Sequence, residues 1–255
     1  MAHHDFKHNH KGKMMKKLLL ILCLSAFASL GAAKDIEFTD LISQEDFKDF
    51  VKEFGASLLF NPMAPAETLG MTGFDISLEV VTTDISDGKR YWEILVDDND
   101  PFSQLPVPRI HVQKGLPFGL DVGAMYVNVP DTNIDLWGIE AKYALLDGGI
   151  LTPALSIRGS YSQLSGVDDI DLNTQSLDLL ISKGFLMLTP YAGASITRVR
   201  GSENTSLVEL DEVNETDYRG IAGVQFSPFP LLVINGEVTF LGEVRQYGFK
   251  IGLRF

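Results

Sequence analysis

The C-terminal stretch YGFKIGLRF (residues 247–255) decides the fold. Tyr247, Phe249, Ile251, Leu253 and Phe255 take every second position, with Gly248, Lys250, Gly252 and Arg254 between them. Side chains of a strand point alternately to opposite faces, so this spacing puts five apolar groups on one face and two cations on the other.

The same period of two runs back along the chain to about residue 73. Phe74, Ile76, Leu78 and Val80 alternate with Asp75, Ser77 and Glu79; Ile110 and Val112 with Arg109, His111 and Gln113; Leu120, Val122, Ala124 and Tyr126 with Asp121. Further on, Trp137, Ile139, Ala141 and Tyr143 oppose Glu140 and Lys142, while Leu155 and Ile157 oppose Arg158. Leu177, Leu179 and Ile181 oppose Asp178; Ala222, Val224 and Phe226 fall opposite Arg219 and Gln225; Leu232, Ile234, Val238 and Phe240 oppose Asn235 and Glu237. Only TPYAGASITRV (189–199) leaves its apolar face undecided. The pattern predicts ten strands over 73–84, 106–115, 119–129, 134–145, 152–162, 173–184, 188–199, 216–227, 231–241 and 244–255. The fold class expected is all-β, an antiparallel up-and-down transmembrane β-barrel of about ten strands, with 8–12 as its bounds.

The N-terminal third reads differently. MMKKLLLILCLSAFASLGAA (14–33) has a positive start, a short apolar run and small residues before Lys34, the pattern of a cleavable secretory signal. Residues 1–33 are expected to be leader and signal peptide, with the start at Met1 or Met14, and residues 34–72 a periplasmic N-terminal segment. Cys23 falls inside the signal, and the chain beyond it has no cysteine. Four of the five histidines precede Met14, which leaves His111 in the mature part. Beyond residue 33, 16 Lys and Arg stand against 33 Asp and Glu, a balance of −17 that excludes a phosphate-neutralising nucleic-acid binder. SQEDFKDFVKEFG (43–55) predicts one amphipathic helix over 43–54, capped by Ser43 and stopped by Gly55, with Phe47, Phe50, Val51 and Phe54 on one face.

The connections support the barrel. With Phe255 at the periplasmic rim, the turns at LPFG, LLDGGILT, GFLMLTP and SPFP fall on that side, and the long acidic stretches 85–105, 163–172 and 200–215 on the other. Two aromatic belts are expected: Tyr126, Trp137, Tyr161, Tyr218, Phe240 and Tyr247 at the outer level, and Tyr143, Tyr191, Phe226 and Phe255 at the inner one.

YGFKIGLRF, with its alternate apolar groups and final Phe, resembles the insertion signature of bacterial outer-membrane β-barrel proteins. The resemblance covers the alternating part, 73–255, and identifies a class, that of small porin-like barrels in a Gram-negative-type envelope. It implies outer-membrane localisation, recognition of residues 247–255 by the barrel-assembly machinery, and surroundings of outer-membrane lipid and lipopolysaccharide.

With the apolar combs facing lipid, the lumen receives Asp75, Glu79, Asp121, Glu140, Asp178 and Glu237 against Arg109, His111, Lys142, Arg158, Arg219, Lys250 and Arg254. Buried charges must pair, so this set forms either a plug or the lining of a narrow path. Catalysis is not expected: HExxH, GxSxG and a cysteine pair are all missing beyond the signal, and no cofactor or metal site is indicated. The reading is a narrow channel or small-solute transporter, gated or plugged by the 43–54 helix at the periplasmic mouth or inside it, with a small solute as the lumen's ligand. A non-conducting surface-binding or structural protein is the alternative, and a membrane-embedded enzyme built on His111 a second one.

Overall fold

A computed structural model of the chain describes residues 43–86, 89, 91–92, 103–128, 134–205 and 210–255. The leader, the signal peptide and Lys34 lie outside the described residues, as does much of the first long loop. The described chain forms ten antiparallel strands: β1 (Phe74–Asp84), β2 (Gln104–Leu116), β3 (Leu120–Asn128), β4 (Asp135–Asp147) and β5 (Ala154–Ser165), then β6 (Ile170–Ser182), β7 (Leu188–Glu203), β8 (Val213–Phe229), β9 (Leu232–Leu241) and β10 (Val244–Arg254). Each pairs with its sequence neighbours, and β1 pairs with β10, so the sheet closes on itself. The closing register sets Asp75 opposite Arg254 and Thr83 opposite Gln246. Phe74 and Phe255 complete the seam by exchanging two backbone hydrogen bonds of 3.1 and 2.8 Å. Strand number and connectivity are those the alternation predicts, and β7 and β8 run longer, at 16 and 17 residues.

The outer face carries the combs. Ile76, Ile110, Ile139, Leu177, Ile196 and Phe249 are all exposed on it. An apolar exterior of this extent on a closed sheet is a surface built for lipid. Trp137 and Tyr161 lie side by side at one level of it, their rings 5.6 Å apart. Tyr191 departs from the expected belt. It is turned inward and buried, and its hydroxyl donates to Glu237 Oε2 at 3.0 Å. The reason is the undecided segment itself: Ala192, Ala194 and Ile196 take the outward positions of β7, which sends the odd-numbered residues into the lumen.

The inner face is polar toward the rim that holds Phe255 and apolar toward the opposite, loop-bearing rim. Along β3 it passes from Asp121 to Met125 and Val127, and along β6 from Leu172 to Asp178. This change along single strands fits what the barrel contains. Helix α1 (Gln44–Ser57) lies inside the apolar half. Ser43 caps it, accepting from the Asp46 backbone N–H at 3.1 Å, and Glu45 and Asp46 sit in its first turn. Phe47, Phe50, Val51 and Phe54 are buried against Val127, Leu136, Leu172 and Val199. Burial of such side chains contributes roughly 1.5–3 kcal/mol each.

The helix does not stop at Gly55 as the sequence reading expects. It runs on to Ser57, and Gly55 packs against the wall, where a methyl group would collide with Val199. α1 also lies away from the Phe255 rim. Its Gln44 side chain bonds the backbone of Asp211 in the β7–β8 loop, and Lys48 and Lys52 pair with Glu215 and Asp217 at 3.1 and 3.6 Å. From Leu58 the chain descends in extended form through the polar half to the start of β1, where Lys114 and Gly115 hold it through the carbonyls of Met71 and Gly73.

Candidate functional site: the occupied lumen

Nine of the charged strand residues form one continuous chain of alternating sign. Arg254 meets Asp75 at 2.9 Å, Asp75 meets Lys250 at 3.2 Å, and Lys250 reaches Glu79 at 3.9 Å. Glu79 then contacts His111 Nδ1 at 2.8 Å, and His111 Nε2 lies 3.1 Å from Glu140. Arg158 links Glu140 to Asp178, and Asp178 meets Arg219 at 2.6 Å. This circuit joins β10, β1, β2, β4, β5, β6 and β8 across the interior. With both His111 nitrogens against carboxylate oxygens, the ring donates to both only as the imidazolium. A separate pair, Lys142 and Asp121, sits 3.2 Å apart, while Arg109 and Glu237 have no ion pair in contact distance among the described residues.

Those last four residues, with Arg158, read the main chain of the luminal segment. Arg109 Nη1 donates to the Leu59 carbonyl at 2.9 Å and Arg158 Nη2 to the Phe60 carbonyl at 2.8 Å. Lys142 donates to the carbonyls of Pro65 and Glu67 at 3.3 and 2.9 Å. In the other direction, the Met63 N–H donates to Glu237 at 3.0 Å and the Leu69 N–H to Asp121 at 3.0 Å. Neutral side chains complete the set: Ser162 donates to the Leu58 carbonyl at 2.7 Å, Gln246 to that of Ala56 at 2.7 Å, and Ser182 accepts from the Ala66 N–H at 3.1 Å. An extended segment has no internal partners for its backbone, so within a membrane the wall must supply them.

All thirteen charged residues assigned to the lumen by alternation are buried there except Arg254, whose side chain is 25% exposed at the rim. What the sequence reading did not find is most of the neutral half of the site: Asn61, Met63, Ser162, Tyr191 and Gln246. Serine and glutamine at inward strand positions carry no signal of their own, and the run FNPMAPAE (60–67) has no periodicity to mark it as internal. Glycine does leave a trace. Gly248 faces inward on β10 directly beside the Met63 thioether, where any side chain would strike the sulfur. Met63 itself has φ of 45°, a left-handed conformation uncommon outside glycine, held by the bond to Glu237 and the fit against Gly248.

At the loop rim Ser86, Tyr91 and Trp92 pack on α1. Glu53 accepts from Trp92 Nε1 at 2.8 Å and from the Ser86 backbone N–H at 3.2 Å, and Trp92 packs edge-on against Phe50 with ring centroids 5.4 Å apart. Burial and the neighbouring Glu53 carboxylate push the Tyr91 phenol well above its usual range.

No protein-family model and no curated protein matches the sequence. Solved structures similar to it include the N-terminal β-barrel domain of Pseudomonas aeruginosa OprF, at 14% identity over 73% of this chain and 99% of that one, with a TM-score of 0.36. The KdgM porin is similar at 12% identity over 70% and 99%, with a TM-score of 0.35. Neisserial surface protein A is similar at 9% identity over 71% and 95%, with a TM-score of 0.30.

Proposed function

We propose that this chain is an outer-membrane barrel that holds itself shut, a non-conducting protein whose lumen is permanently occupied by residues 44–71. The observation that carries the reading is the bonding of Arg109, Arg158 and Lys142 to the carbonyls of Leu59, Phe60, Pro65 and Glu67. Withdrawal of the segment breaks all of these bonds and exposes the apolar half that houses α1. Movement of α1 alone, as a helix gate would require, leaves residues 58–69 across the polar half. The functional surface is then the loop-bearing rim, where Trp92, Asp211 and the first turns of α1 lie, and it serves a binding or structural role at the outer face. His111 with Glu79 and Glu140 has the makings of an acid–base site, but its side chain is 0% exposed and Phe60 covers it, so no substrate reaches it.

Single-channel recording in planar bilayers tests this. The protein spanning 34–255 is expected to be silent, and a form lacking 34–71 to pass current. Sustained openings from the intact protein would replace this reading with a channel one.

A further inference from the structure

β7 is the one strand among the described residues that turns two cations outward. Arg198 and Arg200 are both exposed, on the same face as Ile196, and stand one and two steps beyond it toward the loop rim. Ile196 pairs with Tyr218 of β8 and ends the apolar surface at this point. Around the arginines the outward positions are polar: Gln175 and Asn173 on β6, Thr216 and Asn214 on β8. Arg198 Nε donates to Asn214 Oδ1 at 2.7 Å, which uses one of its five N–H donors. Arg200 Nε lies 2.9 Å from Glu212, an exposed pair.

From this we propose that Arg198, assisted by Arg200, binds the phosphate of an outer-leaflet lipid headgroup. A guanidinium is costly against acyl chains and is tolerated at the level where headgroups begin. Two of them stacked along one strand offer planar forks that match phosphate oxygens bidentately, as lysines would not. The contact to Asn214 fixes the Arg198 fork against β8, and the neutral Gln175, Asn173 and Thr216 add donors without adding negative charge. Glu212 offsets Arg200, and the exposed Asp171 follows Asn173 on the outward face of β6, so the attraction for a lipid phosphate centres on Arg198.

Native mass spectrometry of the intact protein in detergent distinguishes the sources of phosphate. The probes are bis-phosphorylated lipid A, the same lipid dephosphorylated, and inorganic phosphate. Wild type is expected to retain the phosphorylated lipid, and R198Q/R200Q to lose about tenfold in retention, the scale of one charge-assisted contact. Dephosphorylated lipid A is expected to bind wild type as weakly as the phosphorylated form binds the double variant. Both substitutions are on the surface, and heat-modified gel mobility reports whether the variant is folded; R198K/R200K, which keeps the charge, is expected to fall between the two. Equal retention by wild type and R198Q/R200Q overturns the assignment, as does inorganic phosphate binding with no preference for the lipid.

Discussion

The ring of Phe60 meets the ring of His111 edge-on, 4.8 Å between centroids, while the Arg158 guanidinium lies 5.0 Å from the centre of the same ring. One side chain of the luminal segment is thus held between two members of the charge circuit. Phe60→Ala should remove both contacts and leave a cavity, at a cost of about 3–5 kcal/mol. Denaturant unfolding of the folded protein in detergent, read by tryptophan fluorescence, gives the number; a midpoint equal to wild type would mean the clamp contributes nothing.

Arg158 joins Glu140, Asp178 and the Phe60 carbonyl. Arg158→Met should strand two buried carboxylates and cost about 3–5 kcal/mol, more than any exposed pair such as Lys48 with Glu215. Comparing the thermal midpoints of Arg158→Met and Lys48→Met checks the ranking, and equal losses would contradict it.

Gly248 leaves room for Met63 and nothing more. Gly248→Leu should expel Met63 from its seat at a cost of about 1–3 kcal/mol, with Met63→Ala partly restoring stability in the double variant. The expected signature is faster protease cleavage within 58–69. Additive effects of the two substitutions would show that the residues do not share the site.

Val51 and Gly201 approach so closely that a Cβ built at Gly201 lies 3.3 Å from that of Val51. The described chain has no cysteine, so Val51→Cys with Gly201→Cys should form a single disulfide tying α1 to β7. A mobility shift on a non-reducing gel reports it. Free thiols in both positions under oxidising conditions would place α1 elsewhere.

How much of this was legible in the sequence differs between the wall and its contents. Alternation separates Asp75 and Glu79 from Ile76 and Leu78 because neighbouring strand residues face opposite ways, and that rule needs no knowledge of distant partners. It fails at Tyr191, where alanines and glycine give both faces of the segment a similar character. Gly55 misleads for a different reason: its missing side chain serves a contact with Val199, 144 positions away in sequence, and not a local end to the helix. The circuit from Arg254 to Arg219 is likewise a property of closure: single links such as Arg158 to Asp178 lie within one hairpin, but the unbroken run needs seven strands together.

The seam that closes the ring joins Asp75 to Arg254, 179 positions apart. A contact of such long span carries the loop-closure cost of nearly the whole barrel sequence. The segment at 44–71 is attached directly to the first of the two strands that meet there. Its seat includes side chains of the last strand, Gln246 and Gly248 among them, so the two ends of the described chain build one interior, and closing the ring and filling it draw on the same strand.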